Sequence, residues 1–385
     1  MRRIYEYYFN LSVAKLTLQG PIFFVIKSVA IHDGPCATVS GLGLNPSSGY
    51  RDVKCSSILM GIIGGVMKRF KNILLVCKFD AKQRMAVERA VSLATQNEAH
   101  LTVLTVVKEL PADTRMAIIA MSPQELIELV INDRREKVDA LAADIGQQGV
   151  DVSSQVVTGP PFLEIIRQVL RDKHDLVILA AEGKGGLKER LFGSTSMHLM
   201  RKCPCPVWVV KPAKRAKYKR ILAAVDTTSD FPDSARDSLN PLIMQLASSL
   251  ARMDGSELHL VQVWSVFAED YLEARAQLGK SAIQNLRKDT KQQYTSKLDS
   301  MLAGIDLKGI VTHRHLLRND DAPRTIVKLA RNNKIDLLVM GTVCRAGLVG
   351  FFIGNTAEKV LNAVNCSVLT VKPEGFVTPV TLKDS

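Results

Sequence analysis

The feature that most constrains the fold of this chain is an internal repeat. Three stretches of the first half recur in the second half in the same order. The corresponding segments are Lys71-Asn72-Ile73-Leu74 with Lys219-Arg220-Ile221-Leu222, His174-Asp175-Leu176-Val177 with Ile335-Asp336-Leu337-Leu338, and the equally long intervals from Gly193 to Lys211 and from Gly354 to Lys372. Because repeated segments indicate repeated structural units, we expect two copies of one domain fused in tandem.

Apolar runs and amphipathic segments alternate through both halves. In the first half, strands are predicted at 73–77, 100–107, 151–157, 175–180 and 207–210, and helices at 84–96, 122–147, 161–173 and 195–202. In the second half, strands are predicted at 221–225, 257–264, 309–315, 336–340 and 368–371, and helices at 238–252, 270–303, 323–332 and 356–364. Strands separated by helices of this length indicate βαβ crossovers and parallel sheets.

These elements predict an α/β fold of two tandem doubly wound, Rossmann-like domains, each with a five-stranded parallel sheet. We expect the halves to form an internal pseudo-dimer through their last strands, 207–210 and 368–371. Ligands of such sheets bind at the carboxyl ends of the strands, where the strand order reverses. The loops at that end of each half are therefore the place to look for a site.

The segment that precedes the repeat has a different character. Residues 1–66 are rich in Gly, Ser and Pro and lack sustained periodicity. We interpret them as an over-extended start, with Met67 as the biological first residue; a targeting or regulatory arm is the alternative. The predicted boundaries are 67–212 for the first domain, 213–220 for a basic linker, 221–375 for the second domain and 376–385 for a tail.

Composition narrows the classes of function. The seven cysteines are odd in number and irregularly spaced, which favours reduced thiols in a cytoplasmic protein over a disulfide framework. No apolar run reaches the roughly 20 residues that span a bilayer. The net charge of +13 is spread along the chain without an aromatic-interleaved basic patch, so nucleic-acid binding is not favoured. His313 and His315 share a strand face, but without a nearby Cys or clustered carboxylates we expect a surface pair and no metal.

A glycine-bearing loop joins a strand to a helix near the end of each half. In the second half, Gly341 follows a strand and Gly354-Asn355-Thr356 opens the next helix. Unpaired backbone N–H groups at a helix start suit an anion such as phosphate; the alternative is that both glycines serve turns without a ligand. Asp226, which ends the first strand of this half, is a candidate to hold a ribose hydroxyl or, alternatively, to cap the following helix or turn.

With these glycine loops, and in the second half an Asp directly after the first strand, each half resembles the universal stress protein family. The tandem arrangement and the run from Gly341 to Glu358 resemble its tandem-domain members. The resemblance implies a cytoplasmic stress-response protein that supports survival under insults including DNA damage. It also implies binding of ATP or a related nucleotide through the pattern Gly-x2-Gly-x9-Gly-(Ser/Thr), which some members carry and others lack.

The second half departs from the family pattern at two positions. Its motif positions are Gly341, Cys344, Gly354 and Asn355, with Asp226 at the family's Asp position. Cys replaces a glycine and adds a Cβ to the loop, and Asn replaces Ser or Thr, while Thr356 beside it supplies a hydroxyl. Arg345 is a candidate phosphate contact, or else a solvated side chain. We expect this half to be the better nucleotide site.

The first half departs at other positions, and its site is expected to be degenerate. Its motif positions are Ala180, Gly183, Gly193 and Ser194, with Lys78 where the family has Asp and with Asp80 two residues further on. A lysine side chain has no acceptor for a ribose hydroxyl. Lys78 would instead meet a phosphate or pair with Asp80.

The sequence therefore predicts binding of a nucleotide or another small ligand rather than turnover. A slow ATP-hydrolysing or nucleotidyl-handling enzyme of the same fold is one alternative; it needs a residue that positions a nucleophile or a metal, and the sequence offers none beyond Asp226. A nucleic-acid-associated factor that acts through the net charge is another. The sequence leaves protein partners and a further homodimer open.

Overall fold

The computed structural model describes residues 7–9, 12–14, 69–80, 82–109, 122–181, 192–213, 217–227, 234–274, 279–342 and 354–382. The chain divides into two units, Met1–Ile63 and Gly64–Ser385. In the first unit, β1 (Tyr7–Phe9) pairs antiparallel with β2 (Ser12–Ala14). The interpretation of residues 1–66 as an over-extended start stays a prediction.

The second unit contains both halves of the repeat. In the first half the strands are β3 (Asn72–Val76), β4 (His100–Val107), β5 (Val152–Thr158), β6 (Leu176–Ala180) and β7 (Val207–Val210), and the helices are α1 (Arg84–Asn97), α2 (Pro123–Gly146), α3 (Pro161–Asp172) and α4 (Ser194–Lys202). In the second half the strands are β8 (Arg220–Ala224), β9 (Glu257–Trp264), β10 (Thr312–Arg318), β11 (Leu337–Gly341) and β12 (Ser367–Val371), and the helices are α5 (Ser234–Asp254), α6 (Glu269–Ala274), α7 (Lys280–Leu302), α8 (Ala322–Asn332) and α9 (Asn355–Ala363).

The ten strands of this unit form one sheet. Their order is β10-β9-β8-β11-β12-β7-β6-β3-β4-β5, so each half contributes five neighbouring strands that pair in parallel. The halves meet where β12 pairs antiparallel with β7, with Val368 opposite Val209. The predicted α/β fold and the pseudo-dimer through the last strands are confirmed.

Alternation along the strands gives the sheet two apolar faces. On one face, alternate residues of the strands, such as Ile73, Ile178 and Val339, pack with α1, α2, α5 and α7. On the other face, their neighbours from Leu74 to Val368 pack with α3, α4, α8 and α9. Because successive strand side chains point to opposite faces, a sheet covered on both sides requires the nearly continuous apolar runs seen in β6 and β7. Both cores extend across the two halves.

The predicted bounds of three elements in the second half are wrong, and one of them is α5, which begins at Ser234, four residues before the predicted 238. β10 begins at Thr312 and ends at Arg318, three residues later than the predicted 309–315. Gly309 has a φ of +78°, and the Ile310 N–H donates to Leu307 O at 3.1 Å, so the apolar residues that follow belong to a turn rather than to the strand. The helix predicted at 270–303 is divided into α6 and α7, and residues 275–278 lie outside the described chain.

Two buried lysines connect the halves reciprocally. From the second half, Lys372 Nζ donates to Met200 O at 2.8 Å and to Arg201 O at 3.1 Å, in the last turn of α4. From the first half, Lys211 Nζ donates to Val364 O at 3.1 Å, at the end of α9. The last carbonyl groups of a helix have no intrahelical partner, and an ammonium group satisfies them. Each half thus caps the last helix of the other.

A buried ion pair also joins the halves. Arg89 of α1 lies 2.7 Å from Asp254 at the end of α5, and both side chains are 3% exposed. The guanidinium lies 3.7 Å from the ring centroid of Tyr218, whose N–H donates to the same carboxylate at 2.9 Å. Tyr218, which belongs to the basic linker predicted at 213–220, is therefore packed into the interface between the halves.

Candidate functional site

The strand order reverses between β8 and β11. From β8 the chain moves outward to β9 and β10, then returns to place β11 on the other side of β8. β8 and β11 run in parallel with Ala224 opposite Met340. Asp226 and Gly341 therefore leave the sheet at the same, carboxyl end, which is where ligands of doubly wound sheets bind.

The loop between β11 and α9 is closed at its base. Gly354 N–H donates to Thr342 O at 3.1 Å, which brings the start of α9 back beside the end of β11. Gly354 is the N-cap residue in an extended conformation and offers no side-chain cap, and Asn355 and Thr356 begin the helix. Among the helices whose N-cap residue is described, α2 and α8 have a side-chain cap, from Ser122 and Asp321, whereas α1, α3, α4, α7 and α9 have none. The first-turn N–H groups of α9 therefore face the loop without an N-cap side chain.

Gly341 has a packing role that neither sequence interpretation anticipated. A Cβ at this position would lie 2.7 Å from Leu239 Cδ2 and 3.7 Å from Ile243 Cδ1, both on α5. The space that a side chain would occupy is filled by the protein itself rather than left for a ligand. The missing side chain thus lets α5 approach the end of β11.

Asp226 is anchored through its backbone to α5. Its N–H donates to Asn240 Oδ1 at 3.1 Å, and its carbonyl accepts from Asn240 Nδ2 at 2.7 Å. α5 begins at Ser234, too far along the chain for Asp226 to be its N-cap residue. The clamp by Asn240 fixes the backbone from which the carboxylate projects.

Two polar residues beside Asp226 were missed by the sequence analysis. Thr227 N–H donates to Oε1 of Gln262, a fully buried residue of β9, at 3.0 Å. Thr227 Oγ1 is buried and has no hydrogen-bond partner within the described part of the chain. Since buried polar atoms are usually paired, we add Thr227 to the candidate contacts at this end of the sheet. A glutamine inside an otherwise apolar strand is the signal that could have found this pair.

The matching end of the first half has a different electrostatic character. Lys78 follows β3, and burial, with a smaller effect of Lys108, lowers the pKa of Lys78. Asp80 accepts from Lys82 N–H at 3.0 Å and so forms a local turn before α1. Gly193 is the N-cap residue of α4 and Ser194 its first residue, as in the second half. The helix start is thus preserved, but no carboxylate stands where Asp226 does.

Three predicted site residues lie outside the described chain: Gly183, Cys344 and Arg345. The roles predicted for them stay predictions. The residues of the second half that the structure does bring to one end of the sheet are Asp226, Gly341, Gly354, Asn355 and Thr356.

A cleft lies beyond the carboxyl end of β9. It has a volume of about 370 Å³ and is lined by residues that include Ser265, Phe267, Leu286 and Tyr294. Its lining contains none of the predicted site residues, so it is distinct from the arrangement around Asp226. Phe267 is 92% exposed, which makes the cleft open rather than enclosed.

Comparison with known proteins agrees with the fold. The model of the Universal stress protein family matches residues 69–211 and again 217–372. The chain is 27% identical to Universal stress protein E of Salmonella typhi over 320 residues, which covers 83% of this chain and 99% of that protein. It is 26% identical to Universal stress protein E of Escherichia coli (strain K12) over the same length, with the same coverage.

Solved structures give the same fold. A functionally unknown protein of Pseudomonas aeruginosa PAO1 superposes with a TM-score of 0.61 at 24% identity, covering 80% of this chain and 95% of that one. A universal stress protein of Archaeoglobus fulgidus superposes with a TM-score of 0.50 at 18% identity, covering 79% and 99%. In the part of the chain that the structure describes, no helix is long and apolar enough to cross a membrane. Since the family model matches both halves and most of the chain, the chain belongs to the universal stress protein family, as a tandem pair of its domains.

Proposed function

We propose that the second half binds ATP or a related nucleotide at the carboxyl end of β8 and β11, and that this binding serves a stress response. The observation that carries the proposal is the convergence of Asp226 and the start of α9 at the point where the strand order reverses. In this arrangement the Asp226 carboxylate accepts hydrogen bonds from ribose hydroxyls. The first-turn N–H groups of α9, with Asn355 and Thr356, receive the phosphates.

Within this proposal Gly341 acts through packing. Its contact with Leu239 brings α5 against β11, and α5 in turn holds Asp226 through Asn240. Cys344 and Arg345 are proposed to line the phosphate side of the loop. For the first half we propose weaker binding or none, because Lys78 cannot accept from a ribose hydroxyl.

Calorimetric titration of the full chain with ATP tests the proposal. We expect saturable binding that Asp226→Asn weakens by about 10-fold or more, since a hydrogen bond to a charged group contributes about 1.5–3 kcal/mol. Gly354→Val should also weaken binding, because it places a branched side chain at the phosphate end. Gly193→Val is the matched control in the first half and should bind as the wild type does. Unchanged affinity in both second-half variants, or loss in the control alone, would contradict the assignment.

We further propose a binding role rather than turnover, in the cytoplasm, with survival of stress that includes DNA damage as its outcome. Membership of the universal stress protein family supports the stress role. The buried free thiols Cys77, Cys203, Cys205 and Cys366 support a reducing compartment. Phosphate release from ATP by the wild type at a rate that Asp226→Asn abolishes would favour the enzymatic alternative. Survival assays after ultraviolet exposure, with the wild type and Asp226→Asn, would test the physiological claim.

A further inference from the structure

A cluster of three histidines and a glutamate lies at the amino ends of β9 and β10, away from the proposed nucleotide site. Glu257 and His259 come from β9, and His313 and His315 come from β10. The two strands pair in parallel with His313 directly opposite His259, and alternation puts all four side chains on the face covered by α8 and α9. Sequence separation concealed this grouping, which the strand register creates.

The ligand atoms of three of these residues are close enough to hold one ion. One atom each from Glu257, His259 and His313 lies within 4.8 Å of the other two. His313 Nε2 is 3.4 Å, and His259 Nε2 is 3.7 Å, from Glu257 Oε2. A tetrahedral zinc ion with bonds of about 2.0–2.1 Å separates its ligand atoms by about 3.4 Å. The cluster therefore needs only small side-chain movements to reach that geometry.

His259 is the central residue of the cluster. Its side chain is buried, and within the described residues its Nε2 has no hydrogen-bond partner. Its other ring nitrogen, Nδ1, is 3.0 Å from Nε2 of His315. In the tautomer in which Nδ1 donates its hydrogen to His315, the Nε2 lone pair faces the Glu257 carboxylate, which is the orientation needed to bind a cation between them. Metal-ligating histidines are commonly oriented by a hydrogen bond from the second nitrogen.

We propose that Glu257, His259 and His313 bind a divalent first-row transition metal ion, with Zn²⁺ as the preferred ion. Two imidazoles and one carboxylate are ligands that suit zinc. His315 acts as a positioning residue through its contact with His259. Three protein ligands leave one coordination position for water, and the exposed side chain of His313 gives the ion a route from solvent.

The first half shows how the same positions look without such a ligand set. His100 occupies the place of Glu257 in the repeat, and its ring nitrogens bond Asp151 Oδ2 and Ser153 Oγ, both at 2.9 Å. Ser153 in turn donates to Thr102, the counterpart of His259, at 3.3 Å. These polar atoms satisfy one another, whereas the second half leaves a buried nitrogen against a carboxylate. His100 therefore provides a matched control.

Two neighbouring features bear on the affinity. Arg220 Nε lies 3.4 Å from Glu257 Oε2; a carboxylate has about four lone-pair sites and can serve both cations, although the shared charge lowers the metal affinity. Two buried thiols of the described chain, Cys77 and Cys366, are poor competitors for the ion. Burial raises the pKa of Cys77 and of Cys366 to about 12, and the thiolate is the form that binds metals.

The test is titration of the full chain with Zn²⁺ after chelator treatment, together with Co²⁺ as a spectroscopic probe. We expect one high-affinity ion per chain, with cobalt ligand-field bands and no thiolate-to-cobalt charge-transfer band. We expect zinc binding to weaken by more than about 100-fold in each of the variants His259→Gln, His313→Gln and Glu257→Gln. Removal of a residue that only hydrogen-bonds to a metal ligand typically costs about 10–100-fold. His100→Gln should bind as the wild type does.

The role of His315 is separated by two substitutions. His315→Gln keeps an acceptor for His259 Nδ1 and should retain more zinc affinity than His315→Leu, whereas a merely structural role would not favour the amide. Absence of saturable zinc binding in the micromolar range, a cobalt spectrum with sulfur ligation, or full affinity in His313→Gln would overturn the proposal. Since His313 is exposed, its variant stays informative even if His259→Gln fails to fold.

Discussion

Lys372 offers a direct test of how the two halves are joined. Its side chain is 6% exposed, and its Nζ donates to the carbonyls of Met200 and Arg201 and to Thr342 Oγ1. Burial disfavours the ammonium form and lowers the pKa of Lys372 from its ordinary 10.5 to about 7. We predict that this one group makes the folded protein more stable as the pH rises above neutrality.

The direction of the effect follows from proton linkage. Between the folded-state pKa and the unfolded-state pKa, the unfolded chain keeps the lysine protonated while the folded protein has released the proton. The unfolded state then binds more protons, so the free energy of unfolding rises with pH. The two pKa values correspond to about 5 kcal/mol over the whole interval, of which about 2 kcal/mol falls between about pH 7 and pH 9.

Urea unfolding of the full chain and of Lys372→Met at several pH values measures this effect. Because other titrating groups contribute equally to both proteins, the difference between their free energies of unfolding isolates Lys372. That difference should widen in favour of the wild type by about 2 kcal/mol from about pH 7 to pH 9. Lys359→Met removes an exposed lysine of α9 and should follow the pH dependence of the wild type.

Parallel stability curves for the wild type and Lys372→Met would refute the reasoning. They would mean that the three acceptor oxygens keep the ammonium charged in the folded protein and offset the effect of burial. A difference that narrows as the pH rises would also contradict it, since that outcome requires the folded state to raise the pKa.

Two other substitutions test buried contacts, one between the halves and one beside the candidate site. Arg89→Met should lower the free energy of unfolding by about 3–5 kcal/mol, because it leaves the Asp254 carboxylate buried without its cation. Arg84→Met removes one partner of an exposed pair and should lower that free energy by under about 1 kcal/mol. Equal losses for the two variants in urea unfolding would contradict the argument. Gly341→Ala should cost about 1–3 kcal/mol by overpacking against Leu239, and adding Leu239→Ala should recover part of that cost. Strictly additive costs in the double variant would rule out the contact.

The sheet was predictable because its information is local and repeated. The strand Val207-Trp208-Val209-Val210 is apolar at every position, and all four residues are buried. A strand of that composition cannot remain an edge without exposing its backbone and side chains, so pairing with the other half's last strand was the natural prediction. The start of β10 was not predictable in this way, since the positive φ of Gly309 is set by a turn.

The candidate site was predictable only in outline. Asp226 and Gly354 are marked by their places in the repeat, but the contact of Leu239 with Gly341 depends on how α5 crosses the sheet. The histidine cluster shows the same limit. His313 was judged without Glu257 and His259 because the parallel crossover that separates β9 from β10 hides their proximity.

The two halves agree where they meet and differ where they reach solvent. Lys211 and Lys372 are equivalent and buried, and each donates to carbonyl groups of the opposite half. A substitution of either lysine therefore destabilises the last helix of the half to which that lysine does not belong. The strand ends that reach solvent differ between the halves. Lys78 holds the position in the first half that Asp226 holds in the second, and His100 holds the position equivalent to Glu257. The interface therefore keeps the buried lysine in both halves, whereas the residues of both proposed sites come from the second half, whose helix α9 is itself capped by Lys211 of the first.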